Sequence, residues 1–245
     1  MNINKKFFVE NFKTIIYALL IAIFIRSIFI QPFYIPSSSM EPNLLVGDRL
    51  FVTKYSYGYS KHSFPFSPNL FIGRLFFNSP KRGDVVVFKT PVDNRTDYIK
   101  RLIGLPGDTI QIIEKDLYLN NSKINKKKST KGTSINCGRE IINVNFFEEI
   151  LSNEKRFITV YREDGTMLNT DKFVVPENHY FFMGDNRDCS KDSRFLTSVG
   201  YVNFDNLVGK AQLIFFSNNK KIGSFFKFWK WNQSIRIHRF FDKIS

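Results

Sequence analysis

Three short segments of the sequence contain residues whose types and spacing could carry out nucleophilic chemistry. The first, residues 35–42, reads Ile-Pro-Ser-Ser-Ser-Met-Glu-Pro and places Ser39 in a serine cluster between two prolines. A serine hydroxyl is a weak nucleophile unless a nearby base removes its proton. The segment also has a structural alternative, because Ser38 and Glu41 have the spacing of a helix capping box. Its chemical interpretation therefore depends on a base elsewhere.

The second segment, residues 98–108, supplies a candidate base. It reads Tyr-Ile-Lys-Arg-Leu-Ile-Gly-Leu-Pro-Gly-Asp and places Lys100 in an apolar strand that a Pro-Gly-Asp turn ends. Burial disfavours the charged ammonium form of a lysine. The neutral amine can then accept a serine proton without a histidine. The alternative is an exposed strand lysine with no chemical role.

The third segment, residues 184–194, is dense in polar groups and reads Gly-Asp-Asn-Arg-Asp-Cys-Ser-Lys-Asp-Ser-Arg. A calcium loop of the EF-hand type would need glycine at its sixth position and glutamate at its twelfth. Counted from Asp185, these positions hold Ser190 and Leu196, so we expect a hydrogen-bond network instead. The two cysteines, Cys137 and Cys189, indicate neither a zinc site nor a disulfide framework, and the sequence leaves their pairing open.

Histidine-dependent catalysis is a weaker interpretation of the same sequence. The chain has three histidines, and only His179 lies near one of the three segments. A histidine among apolar residues is more often part of the core than a catalytic base. The sequence therefore favours a serine–lysine pair.

Taken in order, the three segments resemble the successive motifs of bacterial type I signal peptidases. The resemblance extends to Gly47-Asp48 and to residues 81–88, covers most of residues 31–216, and is weakest between 110 and 178. The sequence departs from the family's usual residues at four positions: Ser38 replaces glycine, Asn43 threonine, Cys189 a polar residue and Asn203 proline. None of these changes removes a group that the family's chemistry requires.

The resemblance implies an enzyme that removes signal peptides from exported proteins, with Ser39 as nucleophile and Lys100 as general base. It assigns stabilisation of the oxyanion to the backbone amide of Ser39 and the hydroxyl of Ser37. It also implies that Ser190 hydrogen-bonds the lysine amine and that Asp192 and Arg194 form a supporting pair. The shallow pockets for small substrate residues would be lined by Phe33, Ile35, Met40, Leu44, Val87, Tyr98 and Ile99. No metal or other cofactor is expected.

An apolar run near the N-terminus predicts a membrane anchor over residues 15–30. Basic residues precede this run within residues 1–14, and no small-residue cleavage site follows it. By the positive-inside tendency, the N-terminus is expected in the cytoplasm and the rest of the chain across the inner membrane. The self-cleaving repressors, a second serine–lysine class, carry a DNA-binding domain in place of such a run.

Short runs of β-branched and aromatic residues predict a mainly β catalytic domain over residues 31–217, with antiparallel sheets curled into a barrel-like form. Residues 109–178 are expected to form a less typical second β region. Within it, the polar stretch 120–138 is predicted to be a solvated excursion. The predicted strands are 49–54, 84–89, 109–113, 117–120, 157–162, 180–183 and 211–216.

The last segment, residues 218–245, is predicted to be a basic, aromatic tail on the membrane surface. Apolar residues at 237, 240, 241 and 244 have the spacing of an amphipathic helix. The net charge of +14 and this tail favour a lipid bilayer as partner, together with signal peptides. Charge alone also permits a membrane-tethered basic binding protein without catalysis. We expect a monomer that does not bind nucleic acid.

Overall fold

The computed structural model describes residues 2–69, 71–130, 132–138, 140–165, 167–219, 222–223 and 228–244. Helix α1 (Asn2–Ile28) precedes fifteen strands, and the four-residue helix α2 (Trp231–Ser234) follows them. The strands are β1 (Ile30–Tyr34), β2 (Asp48–Thr53), β3 (Val85–Lys89), β4 (Asp97–Gly104), β5 (Thr109–Ile113), β6 (Asp116–Leu119), β7 (Ser122–Lys123), β8 (Asn125–Ser129), β9 (Ser134–Cys137), β10 (Glu140–Ile150), β11 (Arg156–Arg162), β12 (Phe173–Val174), β13 (His179–Met183), β14 (Val202–Asn203) and β15 (Leu207–Ser217).

The main sheet has seven antiparallel strands in the order β1-β2-β15-β3-β4-β13-β14. Its central strand β3 reads Val-Val-Val-Phe-Lys, and the four apolar residues are all buried, as expected for a strand covered on both faces. Irregularities in the register of β15 with β2 and β3 mark bulges, which bend a strand and increase its twist. The predicted mainly β fold with curled antiparallel sheets is confirmed.

Two smaller sheets form the second β region. One contains β11, β10 and β8, with β9 also paired to β10, and the other has the order β12-β5-β6-β7. The stretch 120–138 was expected to be a solvated excursion, but it contains β7, β8 and β9. Backbone pairing with β10 orders β8 and β9 although their side chains are mostly polar. This correction matters for the site, because β9 leads directly to it.

Helix α1 is longer at its start than the predicted anchor and ends earlier. Within its residues 7–28, an 18-residue window has a mean hydropathy of 1.9 and no buried side chains, so the helix is long and apolar enough to cross a membrane. At about 1.5 Å per residue, such a segment spans roughly 33 Å. The end lies at Ile28 because Ile30 pairs with Thr53 in the sheet and Pro32 disfavours helical geometry at the preceding residue.

The prediction of an amphipathic helix in the tail is wrong. Residues 236–244 form a short 3₁₀ turn and extended segments that return to β15. Arg239 binds the buried carboxylate of Asp48 at 2.7 Å, and Phe240 packs on Phe216. The ion pair neutralises the buried carboxylate of Asp48, which a helix detached from β15 would not do. Ile237 and Phe241 remain exposed. Lys220, Lys221 and residues 224–227 lie outside the described residues, and membrane contact by the tail stays a prediction.

Candidate active site

The serine cluster lies in the loop between β1 and β2, close to the main sheet. The Ile35 amide donates to the Asp48 carbonyl and the Gly47 amide donates to the Ile35 carbonyl, so the two ends of the loop are held together. Residues 39–43 form turns, and the Ser38 hydroxyl accepts a hydrogen bond from the Gly138 amide. The capping-box alternative is therefore wrong. Ser39 is buried, with 7% of its surface exposed.

Lys100 lies on β4 and reaches Ser39 from the sheet. Its Nζ is 2.5 Å from Ser39 Oγ and also donates to the Ile99 carbonyl at 3.1 Å. Because Lys100 is only 3% exposed, the alternative of an exposed strand lysine is wrong. Burial lowers the pKa of Lys100 to about 8, an effect that the charges of Asp192 and Asp185 partly oppose.

The Ser39 hydroxyl has a second neighbour in Ser37. The two hydroxyl oxygens are 3.3 Å apart, and Ser37 is exposed to solvent. His179, the residue that a histidine-dependent mechanism would need, instead places its Nδ1 2.8 Å from the Glu177 carbonyl. The geometry around Ser39 thus brings together a nucleophile, an amine of lowered pKa and a further hydroxyl.

The polar segment 184–194 follows β13 and packs behind the serine–lysine pair. Asp192 and Arg194 form a buried ion pair at 2.8 Å, and the Gly184 amide donates to Asp192 at 2.9 Å. A side chain at Gly184 would collide with Ser190 and with the Ser39 carbonyl, since a Cβ there would lie within 2.5 Å of both. Glycine therefore allows this segment to approach the nucleophile closely.

The predicted hydrogen bond between Ser190 and Lys100 is absent. Ser190 is buried, but its hydroxyl has no hydrogen-bond partner among the described residues. Burial raises the pKa of Asp192, but the charge and hydrogen bonds of Arg194 lower it overall, with a smaller contribution from the nearby Ser190. The amine of Lys100 uses Ser39 and the Ile99 carbonyl instead.

Two buried ion pairs around the site were not assigned from the sequence. Arg101, next to Lys100, binds both carboxylate oxygens of Asp185 at 2.7 and 2.8 Å. Arg187 binds Glu149 of β10 in the same two-pronged way at 2.7 and 2.6 Å. Arg101, Asp185 and Arg187 lie inside the segments singled out in the sequence, so an ion-pairing role could have been predicted for them. Glu149 had no local signal, because its partner is 38 residues away.

The seven residues predicted to line the substrate pockets do not form one open surface. Ile35, Met40, Leu44 and Val87 are buried in one core cluster, against which Phe33 and Ile99 pack. Tyr98 packs against a different cluster. A cavity of about 640 Å³ opens beside Ser39. None of the seven predicted residues lines it; its lining includes Ser37, Asn136, Gly138, Ile141, Cys189 and Arg236.

The two cysteines, whose pairing the sequence left open, are joined by a disulfide. Cys137 at the end of β9 is bonded to Cys189 in the polar segment, with their Cα atoms 5.6 Å apart. The bond therefore links the second β region to the segment behind the serine–lysine pair.

Comparison with known proteins gives consistent matches. The profile of the family described as "Signal peptidase, peptidase S26" matches residues 8–216. A signal peptidase I of Rickettsia bellii (strain OSU 85-389) is 41% identical, over 98% of this chain and 87% of its own. A signal peptidase I of Rickettsia typhi is also 41% identical, over 96% and 93%. A crystal structure of a signal peptidase I from Enterococcus faecalis V583 is 28% identical, covers 54% of this chain and 97% of its own, and has a TM-score of 0.30.

Proposed function

The chain belongs to the signal peptidase family, peptidase S26, and we propose that Ser39 is its nucleophile and Lys100 its general base. Family membership makes the protein a serine endopeptidase that removes signal peptides from exported preproteins. It also sets aside the alternative of a basic binding protein without catalysis. The observation that carries the assignment is the 2.5 Å distance between Lys100 Nζ and Ser39 Oγ in a buried environment.

The proposed reaction uses the neutral amine of Lys100. The amine accepts the Ser39 proton while the hydroxyl oxygen attacks the carbonyl carbon of the scissile peptide. The resulting ammonium then gives its proton to the leaving amine, and an ester between Ser39 and the signal peptide remains. Lys100 next takes a proton from water, which attacks the ester, and the ammonium returns that proton to the Ser39 oxygen as the signal peptide leaves. Burial supports this cycle because it brings the pKa of Lys100 to about 8.

Oxyanion stabilisation in this proposal comes from the Ser39 backbone amide and the Ser37 hydroxyl. A donor of this kind contributes about 10²–10³ to the rate, because it is already oriented toward the developing charge. The 3.3 Å separation of the Ser37 and Ser39 hydroxyls is consistent with that role. The ion pair of Asp192 with Arg194 supports the site by holding the backbone at Gly184.

Substrate specificity is assigned to the apolar residues beside the pair. Among the seven predicted pocket residues, Phe33, Tyr98 and Ile99 are half-buried and retain surface that a substrate side chain can contact. Ile35, Met40, Leu44 and Val87 belong to the core cluster against which Phe33 and Ile99 pack. The limited exposure of Phe33, Tyr98 and Ile99 favours small substrate residues, such as alanine.

Membrane anchoring by α1 completes the proposal. Its apolar residues 7–28 carry Lys13 toward the start and Arg26 at the end. We assign the N-terminus to the cytoplasm and residues 31–217 to the periplasmic side of the inner membrane. The active site then faces the compartment into which signal peptides deliver the proteins that it cleaves.

The test uses the full-length protein in detergent and a preprotein substrate with an Ala-x-Ala cleavage site. We expect the wild type to release the signal peptide and the Ser39→Ala variant to be slower by at least about 10³-fold. Circular dichroism of both proteins establishes that each is folded. Equal cleavage by the two proteins would refute the assignment of Ser39.

A further inference from the structure

A short segment of the second β region contacts both halves of the proposed active site. We call residues 134–138 the strap; it comprises β9 and Gly138. The Gly138 amide donates to the Ser38 hydroxyl at 3.1 Å, and the Asn136 amide donates to the Glu41 carboxylate at 3.1 Å. The disulfide from Cys137 to Cys189 joins the strap to the segment behind Lys100. The strap therefore links the nucleophile loop and the polar segment.

Asn186 lies where the strap, the nucleophile loop and the polar segment meet. Its side-chain amide donates to the Ser38 carbonyl at 3.1 Å and to the Asn136 carbonyl at 3.3 Å. Its backbone amide donates to the Ser39 carbonyl at 3.1 Å. Only 1% of the surface of Asn186 is exposed, so its side chain cannot turn to hydrogen-bond water instead. The side chain of Asn186 thus joins the Ser38 carbonyl to the strap, and its backbone amide holds the Ser39 carbonyl.

The Ser38 carbonyl and the Ser39 amide belong to the same peptide group. Because a peptide group is planar and trans, its carbonyl and its N–H point in opposite directions. A hydrogen bond that fixes the Ser38 carbonyl therefore also fixes the direction of the Ser39 N–H. That N–H is the oxyanion donor of the proposed function.

Two departures from the family's motifs involve this same device. Ser38 stands where glycine is usual, and its hydroxyl is the group that binds Gly138 of the strap. Cys189 stands where a polar residue is usual, and it forms the disulfide to the strap. Glycine at 38 could not make the first contact, and a residue other than cysteine at 189 could not make the second. Both changes therefore fasten the strap.

We propose that the disulfide-bonded strap, acting through Asn186, orients the Ser38–Ser39 peptide so that the Ser39 amide points at the oxyanion. The inference rests on the proposed function and extends it to Asn186, Cys137 and Cys189 as positioning residues. A misdirected amide stabilises the transition state less but leaves binding of the uncleaved substrate unchanged. Loss of the strap contacts therefore lowers kcat and leaves KM nearly constant.

The main test is Asn186→Ala in the full-length protein, with Asn206→Ala as the matched control. Asn206 is also a buried asparagine whose side-chain amide donates two hydrogen bonds, to the Lys89 carbonyl at 3.0 Å and to Asn94 at 2.7 Å. We expect kcat to fall about 10–100-fold in Asn186→Ala, by analogy with the loss of an oxyanion donor, and to change little in Asn206→Ala. KM should stay within about threefold in both variants.

A peptide aldehyde provides a readout that a general loss of structure would not give. The Ser39 hydroxyl adds to the aldehyde carbon, and the adduct carries an oxyanion like that of the transition state. In Asn186→Ala, the inhibition constant of an Ala-x-Ala aldehyde should rise by the same factor by which kcat/KM falls. The acidic limb of the pH profile should stay in place, because Lys100 is unaltered.

The disulfide is tested by reduction of the intact enzyme. Dithiothreitol gives two electrons and two protons to the Cys137–Cys189 bond, which yields two thiols, and is itself oxidised to a cyclic disulfide. We expect kcat to fall about tenfold and the affinity for the peptide aldehyde to fall by the same factor. Both should recover after reoxidation with oxidised glutathione. The double variant Cys137→Ser/Cys189→Ser should have the lower kcat and no response to dithiothreitol.

The outcomes separate the strap from the catalytic assignment. Unchanged kcat and aldehyde affinity in both Asn186→Ala and the reduced enzyme would overturn the strap proposal while leaving Ser39 and Lys100 in place. A rise of KM without a fall of kcat would also overturn it, since the strap would then only be a wall of the cavity. Failure of the proposed function has a different signature, namely full activity in Ser39→Ala.

Discussion

Lys54 and Lys100 are both buried lysines, but different groups lie beside their amines. Lys54 follows β2 near the end of α1, and its Nζ donates to the carbonyl of Ser63. Lys100 has the hydroxyl of Ser39 at 2.5 Å. Burial lowers the pKa of each to about 8, and in Lys54 the nearby charge of Arg26 adds to the effect. The lowered pKa of both lysines thus follows mainly from burial, whereas a role as base also requires an acidic proton within reach.

The largest expected difference between the two lysines is in activity. Replacing Lys100 by methionine removes the proton acceptor, so kcat/KM should fall by at least about 10³-fold. Lys54→Met should stay within about threefold of the wild type, because no reacting group adjoins that amine. Cleavage of an Ala-x-Ala preprotein by equal amounts of folded enzyme measures both. Full activity in Lys100→Met, or a comparable loss in Lys54→Met, would remove the distinction.

The next effect is the pH dependence of the reaction. Only the neutral amine accepts a proton, so kcat/KM should rise about tenfold per pH unit below the pKa of Lys100, near 8, and level off above it. Lys54→Met should retain the same profile. A chelator should leave both profiles unchanged, since the proposed reaction uses no metal. A midpoint that moves in Lys54→Met would show that the profile reports the wrong lysine.

The smallest effect concerns stability, where the two lysines should behave alike. At pH 7 the folded protein must hold each amine protonated in a site that lowers its pKa from 10.5 to about 8, which opposes folding. Methionine removes this penalty, so the free energy of unfolding should increase by about 1–4 kcal/mol in each variant. The penalty on the wild type is relieved as the pH rises from about 8 to 10.5, so the difference should narrow there.

Thermal unfolding in detergent at pH 7 and at a pH near 10 measures these differences. Each variant also loses the hydrogen bonds of its lysine, to the Ser63 carbonyl in Lys54→Met and to Ser39 and the Ile99 carbonyl in Lys100→Met, which offsets part of the gain in both. A loss of stability in Lys100→Met at neutral pH would contradict the view that its site disfavours the charged amine.

The parts of the site that could be predicted from the sequence are those encoded in contiguous segments. Ser39 and Lys100 were singled out because each stands in a short segment whose neighbours restrict its setting, and the resemblance carried by the third segment implied the Asp192–Arg194 pair. Alternation of apolar residues and turn signals likewise predicted the β fold. In each case the information lies within about ten residues of chain, the range over which local patterns act.

The features that were missed depend on contacts between distant residues. Nothing near Cys137 indicates that β9 lies beside Cys189, 52 residues later. The apolar spacing of the tail suggested a helix. Arg239 instead binds Asp48, 191 residues earlier in the chain, and this ion pair favours the extended conformation of the tail. Ser190 was assigned a hydrogen bond to Lys100, yet the amine already has Ser39 and the Ile99 carbonyl as partners. Such competition between partners is decided by tertiary structure.

The most direct test of the central claim is an NMR titration of the lysine side chains in the full-length protein, isotope-labelled at Cε. Two signals should titrate near pH 8 instead of 10.5, one of them absent in Lys100→Met and the other in Lys54→Met. Addition of a peptide aldehyde should perturb only the Lys100 signal, because only that amine adjoins Ser39. A Lys100 signal that titrates near 10.5 would contradict its role as a neutral base.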